Sequence, residues 1–177
     1  STLKIQLTAE GAYGSTISSY LVTFDDKRYS SSEIYTDVIK GSGDLTINAQ
    51  VKDSRGKTGS ASLDISVLAY NPPTVSNVTV QRCNEDGTRN VSGGYLAVVF
   101  DAAITPLNNK NSGEYRIKYK QNTAAGYTDT VLSALAGNYS VTGYQYVFAA
   151  DKDSSYNIII SVKDDFPAVE KSAFGPS

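Results

Sequence analysis

Thr46-Ile47-Asn48-Ala49-Gln50-Val51-Lys52-Asp53 is the stretch on which the fold turns. Ile47, Ala49 and Val51 alternate with Asn48, Gln50 and Lys52. That is the period of a strand with one face in a core and the other in water. The pattern returns as Asn157-Ile158-Ile159-Ile160-Ser161-Val162-Lys163-Asp164, at an offset of 111, with Ile, Val, Lys and Asp identical. Two more segments repeat. Tyr20-Leu21-Val22-Thr23-Phe24 lies over Tyr115-Arg116-Ile117-Lys118-Tyr119 at an offset of 95. Leu3, Ile5 and Leu7 lie over Leu96, Val98 and Phe100 at an offset of 93. The three segments keep their order, so a whole domain is repeated. The growing offset places about 16 extra residues in the second copy, between Tyr119 and Asn157.

Working outward, the same alternation runs through Ala61, Leu63, Ile65 and Val67. Turn residues separate such runs: Asp53-Ser54-Arg55-Gly56, Asn84-Glu85-Asp86-Gly87, Ser92-Gly93-Gly94 and Asn108-Asn109. The best helical candidate, Asp129 to Ala136, is short and reads as a strand with a loop. Asn71-Pro72-Pro73 marks a stiff boundary, because prolines donate no hydrogen bond and hold the chain extended. The expectation is an all-β chain of two antiparallel sandwiches, residues 1–70 and 71–177. A strand from Thr74 to Cys83 precedes the Leu96 strand, and its equivalent in the first domain would fall before Ser1. The first domain is therefore expected to lack its opening strand, and the chain to be a fragment of a longer protein. The second is expected to carry a Tyr-rich insertion.

Composition narrows the function classes. Of 177 residues 40% are hydrophobic and 19% charged, enough for packed cores. The net charge of −2 offers no basic footprint for nucleic acid or anionic lipid. No apolar run approaches the roughly 18 residues of a membrane span. Ser1 to Leu7 already alternate like a strand rather than a targeting segment. Histidine is absent, which removes the commonest general base and metal ligand. A single cysteine, Cys83, makes no disulfide within the chain.

Candidate chemistry has plainer readings. Cys83 lacks a histidine to activate it and reads as a small buried hydrophobe. Asp25-Asp26, Asp151-x-Asp153 and Asp164-Asp165 supply oxygen ligands of the kind calcium takes, yet all fall in expected turns and none has EF-hand spacing. Asn77, Asn90 and Asn138 stand in sequons that a chain rich in Asn, Ser and Thr produces by chance. No phosphate-binding glycine loop and no nucleophile elbow is present. Catalytic, cofactor-binding and metal residues are therefore expected to be none, and ligand-binding residues stay unassigned. Thirteen Tyr against five Phe fit half-buried strand faces. Tyr127, Tyr139, Tyr144 and Tyr146 fall in the lengthened region of the second copy, where aromatic rings could stack on sugars. The plainer reading makes Tyr144 and Tyr146 same-face strand residues and puts Tyr139 in a turn.

Tyr156 heads an alternating strand and resembles the tyrosine-corner strand of fibronectin type III and related sandwiches. A broader likeness covers most of the chain. It is carried by Tyr70-Asn71-Pro72-Pro73-Thr74-Val75-Ser76, by Val80-Gln81-Arg82-Cys83-Asn84-Glu85-Asp86-Gly87-Thr88, by Gly94-Tyr95-Leu96, by Asn108-Asn109-Lys110-Asn111-Ser112 and by Tyr115-Arg116-Ile117-Lys118-Tyr119-Lys120. These resemble the tandem immunoglobulin/fibronectin-like region of minor tail proteins of siphophages of Gram-positive bacteria, streptococcal phages in particular. Val51-Lys52-Asp53-Ser54-Arg55-Gly56-Lys57-Thr58 is similar to the V-x-D-S-R-G-R-T hairpin of those modules. The resemblance implies two tandem Ig-like/fibronectin type III-like β-sandwiches in a phage tail, extracellular on the virion. It implies a non-enzymatic spacer that supports host-recognition parts. Its partners would be other tail proteins or other domains of the same chain. Two alternatives stand beside it: a carbohydrate-binding module for host cell-wall saccharide, and a bacterial surface adhesin repeat. Nucleic acid, membrane insertion and cofactors are not expected.

Overall fold

The computed structural model describes residues 1–166 and 168–176. It divides into two units, Ser1–Ala69 and Tyr70–Ser177. Each is an antiparallel β-sandwich of the Ig-like/fibronectin type III-like kind.

The first unit is built from β1 (Lys4–Gln6), β2 (Ile17–Phe24), β3 (Lys27–Tyr29), β4 (Glu33–Tyr35), β5 (Gly43–Asp53) and β6 (Thr58–Val67). Its sheets are a β1-β4 pair and a four-stranded β3-β2-β5-β6. The core is Val22, Phe24, Ile34 and Ile47, rimmed by half-buried residues that include Leu3, Ile5, Leu7, Leu45 and Ile65.

The second unit holds β7 (Thr74–Cys83), β8 (Tyr95–Ala103), β9 (Gly113–Gln121), β10 (Thr128–Val131), β11 (Ser140–Ala149), β12 (Tyr156–Asp164) and β13 (Ala168–Gly175). Its sheets run β11-β8-β7 and β10-β9-β12-β13. Seven antiparallel strands thus form two facing sheets, with the fourth strand, β10, joined to β9 in the four-stranded sheet. Leu96, Val98, Phe100, Ile117, Ile158, Ile160 and Val162 are fully buried between them. Each large side chain so removed from water contributes about 1.5–3 kcal/mol, so this core is the largest energetic contrast between the units.

The repeat read from sequence is reproduced strand by strand. Tyr20 pairs with Val51 and Val22 with Ala49 in the first unit. The residues laid over them, Tyr115 with Val162 and Ile117 with Ile160, pair in the second. Ile5 opposite Ile34 is matched by Val98 opposite Tyr146. The extra residues of the second copy are not an appendage. They lengthen the connection into β10, the counterpart of β3, add a 3-10 turn at Ser133–Leu135, and make a ten-residue β11 where the first unit has the three-residue β4. Among the described residues, no helix is long and apolar enough to cross a membrane.

Candidate functional site

The carboxylate pairs close turns. Asp25 and Asp26 form the two-residue connection between β2 and β3, at φ 48° and 60°, the conformation of a primed hairpin turn. The Asp25 carboxylate accepts the N–H groups of Lys40 (2.7 Å) and Gly41 (3.1 Å). Asp151 accepts the N–H of Asp153 at 2.9 Å. Asp165 accepts both the N–H and the hydroxyl of Ser112. Asp164 is buried and accepts from Tyr70 Oη (3.0 Å), Asn111 Nδ2 (3.1 Å) and Phe166 N (2.8 Å). Among the described residues no three His, Cys, Asp or Glu side chains converge as a metal site.

Asp53 and Asp164 occupy equivalent positions at the ends of β5 and β12, with different partners. Asp53 Oδ1 accepts the N–H groups of Arg55 (2.9 Å) and Lys57 (2.8 Å). The Arg55 guanidinium grips Oδ2 and reaches on to the Ala12 carbonyl and the Ser15 hydroxyl. Burial works upward on the Asp53 acid. The Lys57 N–H, the Arg55 guanidinium, the Ser15 hydroxyl and the Arg55 N–H outweigh it and hold its pKa at about 2. The Asp-Ser-Arg-Gly-Lys hairpin is thus a corner brace, with its polar groups turned on one another. At Asp164 the partner is a tyrosine. Tyr70 packs against Phe166 with centroids 4.8 Å apart. Burial and the adjoining Asp164 carboxylate push its hydroxyl up to about 12.

The tyrosines of the lengthened region separate cleanly. Tyr139 is half-buried and donates to the Asn111 carbonyl at 2.8 Å. Tyr144 stands edge-on to Phe100 with centroids 5.7 Å apart, and Tyr146 lies beside Tyr119 and Phe148. All three pack against the core. Tyr119 and Phe148 are stacked at 3.8 Å. Tyr127 alone of the four is an exposed ring, and Lys120 Nζ sits 5.0 Å over it. Tyr156 Oη accepts the N–H of Asp151, five residues upstream, as a tyrosine-corner hydroxyl does. Cys83 is fully buried. Burial and then the Asp86 charge push its thiol up, against a smaller downward pull from Arg82.

One residue escaped the sequence reading. Arg82 is buried, and its guanidinium donates to the carbonyls of Ala150, Asp151, Lys152 and Ser154. It fastens the β11–β12 connection to β7. An Arg in a polar-and-apolar strand gives no sign of burial, because its acceptors lie some 70 residues away on backbone atoms. The Asn111–Asp164–Tyr70 cluster was hidden for the same reason.

The carboxylates of Asp25, Asp53, Asp151, Asp164 and Asp165 thus each hold a turn, a corner or a connection. The chain belongs to a siphovirus family. Residues 1–176 match the family described as "Siphovirus protein of unknown function (DUF859)". No curated protein matches the chain. Among solved structures it is similar to the "Crystal structure of chicken CNTN1 FN1-FN3 domains", at 14% identity and a TM-score of 0.37. That likeness covers 99% of this chain and 60% of the other. The fold of this siphovirus chain rests on its own strand order and register.

Proposed function

We propose that this chain is a non-enzymatic spacer of a siphovirus tail, setting and stiffening the distance between the tail and the parts that recognise the host. The carrying observation is family membership over residues 1–176, joined to two sandwiches whose corner carboxylates Asp53 and Asp164 are engaged structurally. The chain entering the second sandwich is tied to that sandwich. Tyr70 bonds to Asp164, and Asn71 exchanges two hydrogen bonds with Thr105 through its N–H and carbonyl. Pro72 and Pro73 follow at once. The siphovirus family favours a phage part over an adhesin repeat.

Electron microscopy of virions decorated with gold-labelled antibody to residues 1–177 tests the reading. Label on the tail supports it; label on the capsid, or on no virion, overturns it. Titration with host cell-wall polysaccharide examines the carbohydrate alternative. A spacer gives no saturable binding. Saturable binding abolished by Tyr127→Ala would replace the spacer with a carbohydrate-binding module.

A further inference from the structure

The two sandwiches differ along one edge. β8 is paired on both sides, with β11 and with β7. Its counterpart β1 is paired only with β4. The hydrogen bonds of β1 show which groups face the open side. Leu3 O accepts the N–H of Thr36 at 2.9 Å, and Leu7 N–H donates to Ser32 O at 2.8 Å. An antiparallel ladder alternates, so Leu3, Ile5 and Leu7 direct their backbone groups at β4. Lys4 and Gln6 direct theirs the other way, where no strand lies among the described residues. Their counterparts Ala97 and Val99 pair with Gln81 and Thr79 of β7.

A second, independent observation lies beside that edge. Leu63 pairs with buried Ile47 across β5 and β6 and so shares its inward face. Yet Leu63 is 63% exposed. Leu3, Ile5 and Leu7 are only half-buried, whereas Leu96, Val98 and Phe100 are fully buried. In the second sandwich Val75, Val78 and Val80 of β7 pack on the core. Unpaired backbone and uncovered apolar side chains thus fall on the side of the first sandwich that corresponds to the place of β7.

We propose that the free edge of β1 accepts one more strand, antiparallel to β1 and of the β7 pattern, supplied in cis by polypeptide preceding Ser1. The register follows from the second sandwich: residues standing where Gln81 and Thr79 stand face Lys4 and Gln6, and apolar residues at alternate positions turn inward over Leu63. A second copy of the chain fits the edge less well. A two-fold pairing of β1 with β1 engages only a three-residue strand. Left open, such an edge invites non-native pairing.

Amide hydrogen exchange tests the proposal independently of the spacer reading. The samples are the 177-residue chain and the polypeptide purified from infected cells through a C-terminal tag. The expected result in the short chain is exchange at Lys4 and Gln6 within about tenfold of an unstructured peptide. In the cellular polypeptide the same amides slow by at least about a hundredfold, towards those of Ala97 and Val99. A cellular polypeptide that begins at Ser1, or that leaves Lys4 and Gln6 unprotected, overturns it. So does protection in the short chain that rises with concentration alongside a dimer in light scattering, which would make a second copy the occupant.

Discussion

The second sandwich closes its core with three strands against four, and the first attempts the same with two against four. Sixteen buried residues make one core and four make the other, among those described. The two share their central strands and register, so the difference does not lie in the repeated segments. It lies in β7 and in the lengthened β11, which cover the flanks. A sandwich core is made by its flanking strands as much as by its central ones. The central pattern specifies the pairing, but the flanks decide how much apolar surface leaves water.

The sharpest way to break the contrast is to empty the better core. Phe100 is fully buried and packs against Tyr144. Phe100→Ala is expected to destabilise the second sandwich by about 3–5 kcal/mol, the range for a large aromatic removed from a core that relaxes only in part. Denaturant melts followed by amide exchange in β8 and β12 measure it. Arg82→Met comes next, at about 3 kcal/mol. The stem is replaced, but the carbonyls of Ala150, Asp151, Lys152 and Ser154 lose a charged donor. Arg82→Lys is expected to recover only part of this, since an ammonium cannot fork across several carbonyls. Full recovery by lysine would show that charge alone matters there.

The equivalent aspartates sharpen the comparison by pH. Tyr70→Phe removes the hydroxyl bonded to Asp164 and is expected to cost about 1 kcal/mol near neutral pH. The Tyr70 pKa is raised when folded. Its contribution is therefore complete below the ordinary tyrosine value of 10 and is lost as pH rises towards about 12. The Phe variant should lack that alkaline loss. The Asp53 pKa is lowered when folded, so the sign reverses. Its contribution is present above the ordinary value of 3.8 and is lost as pH falls towards about 2. Melting temperatures of wild type and Asp53→Asn should differ above pH 4 and converge near pH 2. Parallel curves across that range would remove Asp53 from the acid limb. The first sandwich is thus expected to carry an acid-sensitive corner, and the second an alkali-sensitive one.

Much of this organisation was legible in the sequence, because a period of two is a local signal. Val22, Ala49 and Val51 announced their faces, and the offsets of 95 and 111 carried the cross-strand pairs of one sandwich onto the other. Thr74 to Cys83 was legible as a strand in the same way. The polar clusters were not. Asp164 finds Tyr70 across 94 positions and Asn111 across 53, and no periodicity encodes such distances. Nor did the tyrosine count say which rings turn inward. Tyr144 and Tyr127 look alike in sequence and differ because one lies on β11 over Phe100, and the other just before β10 under a lysine.

The smallest expected effect bears hardest on the open flank of the first sandwich. Leu63 faces inward by register but is mostly in water. In the 177-residue chain Leu63→Ala should therefore change stability by less than about 0.5 kcal/mol, as at an ordinary surface position. Ile47, its buried neighbour across the ladder, should cost about 2–5 kcal/mol when cut to alanine. If, as proposed, a strand preceding Ser1 covers β1, Leu63 joins the core in that extended polypeptide, and the same Leu63→Ala change should rise to about 2 kcal/mol. The ratio of the Leu63 effects in the two lengths of chain thus reports cover on this flank directly. A ratio near one would mean that the first sandwich stands with an open side, and that its short core of Val22, Phe24, Ile34 and Ile47 holds it unaided.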